Sequence, residues 1–383
     1  MFTKKINFKN FIIKKFNKEI SKDLNLILKE KNKVIESLST FYKYSYNKKI
    51  ISKIKKYKDV RVIGMGGSIL GTEAIYDFLR EKIKKNFYFI NNLQSSTKIA
   101  KKKYINLIVS KSGNTLETIS NANILIKKNE KNFFITENKN SYLYSIANKL
   151  KSEIIHHNNF IGGRYSVLSE VGMLPAQLMG LDEKKFKQLN SLIINKNFIR
   201  SLVSNVSSIL YFIKKKKSNS VILNYDECSD NFFKWYQQLM AESLGKKGKG
   251  ILPIISTMPK DNHSLMQLYL DGPKNNFYTF FFTHEKNSMH VKSNDILFSH
   301  KYLKNKSLNQ IILSQKKATE KVFIKKNIPF RSFEVMQRDE KTLGELFCFF
   351  ILETILLGRA LKVNPYDQPS VELIKKETKK ILI

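Results

Sequence analysis

Two segments of the sequence carry residue types suited to holding a small anion. The first, Ser110-Lys111-Ser112-Gly113-Asn114-Thr115-Leu116-Glu117-Thr118, follows the apolar run INLIV and opens a helical pattern. Hydroxyls at Ser110, Ser112, Thr115 and Thr118 crowd that helix start. Side-chain hydroxyls and unpaired helix amides can wrap a phosphate together. A helix cap needs only one of them, with Ser112 or Thr115 as cap and Glu117 or Thr118 behind it, and that alternative stays open. The second, VIGMGGSILG over 62–71, runs from a strand pattern into a helix through Gly64, Gly66, Gly67 and Ser68. Glycine lets backbone approach a ligand or another backbone closely, so both a binding turn and a plain packing turn fit it. Its spacing is neither the dinucleotide fingerprint GxGxxG nor a Walker A loop.

Proton transfer needs a carboxylate or imidazole near a fixed cation. Arg164 follows the pair Gly162-Gly163, and its rigid fork of donors can reach an anionic centre; a surface ion pair is the alternative. Glu242 lies in FKWYQQLMAESLGKKGKG, a helical pattern over about 229–244 that stops at Gly245. The negative helix end destabilises a carboxylate there and makes it a better base, although an ordinary solvated glutamate also fits the pattern. His263 in PKDNHSLMQLYLDG stands between a polar loop and a helical run, suited to function or to capping alike. No HxxxH or HExxH pair and no paired cysteines occur, so no metal site is expected.

Positioning these groups requires strands that alternate with helices. Strand patterns occur at 59–63, 87–90, 105–110 and 132–136, and again at 221–226, 251–257 and 276–283. Helical patterns fit 308–320, 341–360 and 369–382. Such alternation predicts an α/β fold of two tandem sandwiches with parallel sheets, a helical lead-in and a C-terminal helical arm. The expected division is an N-terminal helical segment over 1–57, a first subdomain over 58–185, a second over 186–340, and C-terminal helices over 341–383.

Composition narrows the class. With 42% hydrophobic residues in 383, the chain can bury two cores and is not disordered. No apolar run approaches the ~20 residues that span a bilayer, and lysines and asparagines interrupt the N-terminal stretch before it could form a signal core. No membrane partner is expected. Cys228 and Cys348, read as reduced core thiols, fit a cytoplasmic setting. A net charge of +36 raises the question of nucleic acid. Lysine is spread along the whole chain and no reading module is present, so no nucleic-acid partner is expected; the field would attract an anionic metabolite.

Taken together, GMGGSILG, SKSGNTLET, GGRYSVLS, QQLMAESLGKKGKG and NPYDQPSVELIK resemble five segments of the glucose-6-phosphate isomerase family, in family order, from residue 62 to 375. The resemblance implies two sugar-isomerase (SIS) subdomains and cofactor-free interconversion of glucose 6-phosphate and fructose 6-phosphate through a cis-enediolate. It implies Glu242 as the base, Arg164 as the group stabilising the enediolate, and His263 and Lys375 assisting ring opening. Gly67, Ser68, Ser110, Lys111, Ser112, Thr115, Thr118, Gln238 and Gln368 would bind the substrate. It also implies a homodimer in which His263 serves the partner's site. Ser370 stands where the family's second signature has glycine, and Asn114 replaces a small or hydroxyl residue. A dual phosphoglucose/phosphomannose isomerase shares the fold, but the GGRYS and NPYDQ pair favours the single-substrate family. A sugar-phosphate-binding regulator would lack a counterpart of Glu242 and would carry a DNA-binding domain.

Overall fold

A computed structural model describes residues 2–11, 17–94, 104–292 and 296–383. Part of the basic N-terminal stretch, 12–16, falls outside these. The strands are β1 (Ile6–Lys9), β2 (Asp59–Gly64), β3 (Asn86–Ile90), β4 (Ile105–Val109), β5 (Lys131–Thr136), β6 (Glu153–His156), β7 (Asn219–Asn224), β8 (Leu252–Thr257), β9 (Asn276–Thr283) and β10 (Phe330–Val335). One sheet has the order β3-β2-β4-β5-β6 and is parallel throughout; the other has the order β1-β10-β9-β7-β8.

Helices fill the crossovers. In the first half they are α1 (Lys18–Lys29), α2 (Lys33–Ser37), α3 (Lys48–Lys55), α4 (Leu70–Phe78), α5 (Leu116–Leu125), α6 (Tyr142–Lys149) and α7 (Glu170–Leu178). In the second they are α8 (Leu189–Ile193), α9 (Lys196–Lys214), α10 (Asp230–Leu244), α11 (Met266–Asp271), α12 (Leu308–Lys325), α13 (Glu340–Ala360) and α14 (Val371–Leu382). Fully buried strands such as Ile105–Val109 read as continuous apolar runs, as a sheet covered on both faces requires.

Two expectations are corrected. The N-terminal segment is not helical throughout, because Ile6–Lys9 alternates buried and exposed residues and pairs antiparallel with β10. The second sheet is therefore mixed rather than purely parallel. Lysines and asparagines around Ile6 and Phe8 hide the alternation in the sequence. Strands β6 and β10 also lie outside the predicted patterns. In β10 the fully buried Arg331 interrupts the apolar signal, and its charge is matched by an ion pair to the equally buried Glu353 of α13. Cys348 is buried as expected, whereas Cys228 is only half-buried.

The largest core joins both halves. Helix α10 packs on α4, β8 and α13, and Trp235 and Phe232 meet Phe347 at ring-centroid distances of 4.8 and 5.5 Å. Helix α10 also touches the turns at Gly66–Ser68 and Gly163–Leu168.

Candidate active site

The first sheet has a topological switch point. The chain passes from β2 to β3 on one side and returns to β4 on the other, so the loops after β2 and β4 part at the carboxyl edge. Open α/β sheets bind ligands in that crevice. Gly64 and Val109 are register partners at its floor. The glycine turn lies on one side and the hydroxyl loop on the other.

The hydroxyl loop settles the cap question in geometry. Thr115 holds the position before α5, yet its side chain makes no capping hydrogen bond. Its hydroxyl instead lies 2.9 Å from the hydroxyl of Ser110. The first-turn amides of α5 are left without a side-chain cap, and the helix dipole favours an anion there. Thr118 is buried, and its Oγ1 has no hydrogen-bond partner. Ser112 is exposed and accepts from the Asn114 amide at 3.3 Å. Lys111 is engaged elsewhere, donating to the Asn159 carbonyl at 2.7 Å and lying 3.4 Å from Glu137. Asn114 accepts from the Tyr142 amide, and Gly113 takes φ +65° where a side chain would strike Ser141. The Asn114 departure thus ties the loop to α6.

The glycine turn has a packing duty of its own. A Cβ on Gly67 would stand 2.2 Å from the Gly163 carbonyl carbon and 2.4 Å from the Arg164 nitrogen. Gly66 adopts φ +54° with its Cβ position 3.0 Å from Nε2 of Gln238. Ser68 is buried at the end of the turn. Close approach of two backbones is what these glycines permit, and it brings the Arg164 turn and Gln238 to the edge of the crevice.

Arg164 is 2% exposed. Its Nε donates to Ser243 at 2.7 Å, and one terminal nitrogen donates to Gln368 at 2.8 Å. The other donates to the carbonyls of Pro365 and Asp367 at 2.7 and 3.0 Å. Its guanidinium also lies 3.3 Å from the carboxylate of Glu242. Glu242 is partly exposed, in the last turn of α10, and accepts from Gln238 at 2.9 Å. The side-chain oxygen of Gln238, Oε1, is buried without a partner. A carboxylate fixed by one cation and one amide, with an open face, can take and return a proton beside a positive charge that stabilises an oxyanion.

Not every expected residue joins this centre. His263 ends a 3-10 turn over Lys260–His263, is exposed, and has no hydrogen bond or ion pair with Glu242 or Arg164. Lys375 lies on α14, which buries none of its residues, and pairs with Glu372 at 2.6 Å. Ser370 precedes α14 without a capping hydrogen bond. Conversely, Tyr165, Ser243 and the carbonyls of Pro365 and Asp367 belong to the centre and were not singled out from the sequence. The only signal for them was adjacency to Arg164, Glu242 and Gln368. Among the described residues, no group of three His, Cys, Asp or Glu could hold a metal, and no helix is long and apolar enough to cross a membrane.

The phosphoglucose isomerase family model matches residues 12–383. Glucose-6-phosphate isomerase of Methanocaldococcus jannaschii is 33% identical over 377 residues, covering 92% of this chain and 90% of the relative. That of Mycoplasmopsis pulmonis is 33% identical over 354 residues, covering 84% and 82%. Among solved structures, a hypothetical protein of Thermus thermophilus superposes with TM-score 0.81 at 22% identity, covering 95% of this chain and 94% of its own. A glucose-6-phosphate isomerase of Chlamydia trachomatis gives 0.72 at 19% identity, covering 87% and 71%. The latter two show the shared fold. With a family model spanning nearly its whole length and relatives a third identical over most of theirs, this chain belongs to the phosphoglucose isomerase family.

Proposed function

We propose that the chain interconverts glucose 6-phosphate and fructose 6-phosphate with Glu242 as the proton shuttle. The observation that carries the residue assignment is the fixed Glu242–Arg164 pair, joined through Gln238 and Gly67 to a crevice whose opposite wall is an uncapped helix start. The phosphate is held by Ser110, Thr115, Thr118 and the α5 amides, with exposed Ser112 at the rim and Lys111 adding positive field. Glu242 removes the C2 proton of the open aldose and returns it to C1. Negative charge on the cis-enediolate oxygen faces the Arg164 guanidinium, and Gln238 and Gln368 align the sugar hydroxyls. The buried oxygen of Gln238 that lacks a partner is suited to accept one of those hydroxyls.

Ring opening needs groups on the ring oxygen side, for which His263 and Lys375 are the candidates. Both are exposed and outside the centre of their own chain, which supports a homodimer in which a second copy supplies His263. The same reading keeps 58–185 and 186–340 as two subdomains, with 341–383 closing the site. A coupled assay with fructose 6-phosphate and mannose 6-phosphate tests the proposal. Turnover of fructose 6-phosphate with little of mannose 6-phosphate is expected. Turnover of neither excludes the isomerase reading, and equal turnover of both favours the dual-specificity one.

A further inference from the structure

The side chains behind Arg164 form a hydrogen-bond ring whose direction is fixed by donor and acceptor counts. Tyr165 Oη lies 3.1 Å from the Pro365 carbonyl, which can only accept, so the phenol proton points there. Tyr165 Oη also lies 2.9 Å from Ser243 Oγ, and with its own proton used it must accept from the serine. Ser243 in turn accepts from Arg164 Nε at 2.7 Å. The chain therefore runs from Arg164 through Ser243 and Tyr165 to Pro365, whose carbonyl also takes a direct bond from Arg164 at 2.7 Å and so closes the ring.

All members lie in a dry environment. Ser243 and Tyr165 are 0% exposed, and burial pushes the Tyr165 phenol up to about 12, so it stays protonated at every working pH. A guanidinium has five N–H donors. Here it meets Ser243, Gln368, Glu242 and the carbonyls of Pro365 and Asp367. Rotation of the fork would strand a buried donor, which costs more than the bond itself gains. The indole of Trp235 adds a bond at 3.1 Å to the Arg164 carbonyl.

Resting on the isomerase reading, we infer that Ser243 and Tyr165 are positioning residues. They set the Arg164 fork against Glu242 and anchor the 364–368 segment, with its Gln368, to that fork. They act through Arg164 and are not catalytic groups themselves. Neighbouring bonds in one network couple, so the losses at the two links are expected to be less than additive.

The test compares wild type, Tyr165→Phe, Ser243→Ala and the double variant on fructose 6-phosphate. A displacement of about 1 Å at such a centre costs up to roughly 100-fold, so each single variant is expected to lose about 10- to 100-fold in kcat. KM should stay within about twofold, because the hydroxyl loop is untouched. The double variant should lose less than the two single losses multiplied. Affinity for 5-phosphoarabinonate, an enediolate mimic, should fall while competitive inhibition by inorganic phosphate is unchanged. Single variants with wild-type kcat, multiplying losses, or equal weakening of mimic and phosphate would each overturn the inference. Failure of both single variants to fold would do the same, reducing the ring to a structural role. An inactive wild type would instead refute the isomerase reading on which the inference rests.

Discussion

A buried carboxyl on α4 shows how local environment sets a single side chain's behaviour. Glu73 is 3% exposed, and burial pushes it up to about 6 although Asn91 donates to one oxygen and Lys234 lies nearby. Its folded value exceeds the unfolded one, so the folded state binds more protons between these values. Its contribution is fully present at low pH and is lost as pH rises through about 6. Relative to Glu73→Gln, wild type should therefore lose about 2 kcal/mol between pH 4 and 7.5. Denaturant unfolding of both proteins across that range checks this, and a pH-independent difference would refute it. At this scale the sequence was informative where residue type carries chemistry. Glu242 and Arg164 were candidates by type, Gln238 and Gln368 only through the family resemblance, and the four side chains lie together. Tyr165 and Ser243 were not, because a hydroxyl that orients a neighbour has the same letter as one that packs.

At the scale of elements, α5 is the part whose start matters most. An N-terminus left uncapped by Thr115, beside a buried Thr118 hydroxyl without a partner, is arranged for an anion. Replacing Ser110 and Thr115 together with alanine should raise KM for fructose 6-phosphate about 10-fold or more, since hydrogen bonds to a charged group are worth roughly 1.5–3 kcal/mol each. Unchanged KM in steady-state kinetics would exclude the loop as the phosphate site. Elements with a strong period were legible: β9 runs over Asn276–Thr283 and α10 ends at Leu244 before Gly245, both as read. The short edge strand β1 was not, because four residues alternate too briefly to stand out. The buried cation Arg331 likewise disguised β10. The Gly66-Gly67 turn was visible in the sequence, but its packing duty depends on a backbone nearly 100 residues away.

At the scale of the whole molecule, two expected residues stand apart from the Glu242–Arg164 centre. His263 is exposed and unconnected to Glu242, and α14 presents Val371, Ile374 and Ile381 outward alongside Lys375. If His263 serves a second copy, mixing Glu242→Gln subunits with His263→Ala subunits yields heterodimers with one intact site each. Activity should return toward about half of wild type per heterodimer, by the geometry of a shared closed dimer. No recovery after verified subunit exchange would mean both residues serve one chain. Family membership and two sheets were legible from ordered motifs and alternating elements. The separation of His263 and Lys375 from Glu242 within the chain was not, since spacing along a sequence does not give distance in the fold.

If Glu242 carries the proton between C2 and C1, that hydrogen can be followed by isotope. Glucose 6-phosphate deuterated at C2 is incubated with wild type and with Glu242→Gln, and fructose 6-phosphate is read by NMR for label at C1 and for label lost to water. Wild type is expected to deliver part of the deuterium to C1 and to exchange the rest. Glu242→Gln should do both at least about 100-fold more slowly, the low end for loss of a general base, while still binding 5-phosphoarabinonate. A variant that transfers or exchanges the label at the wild-type rate would contradict that role for Glu242.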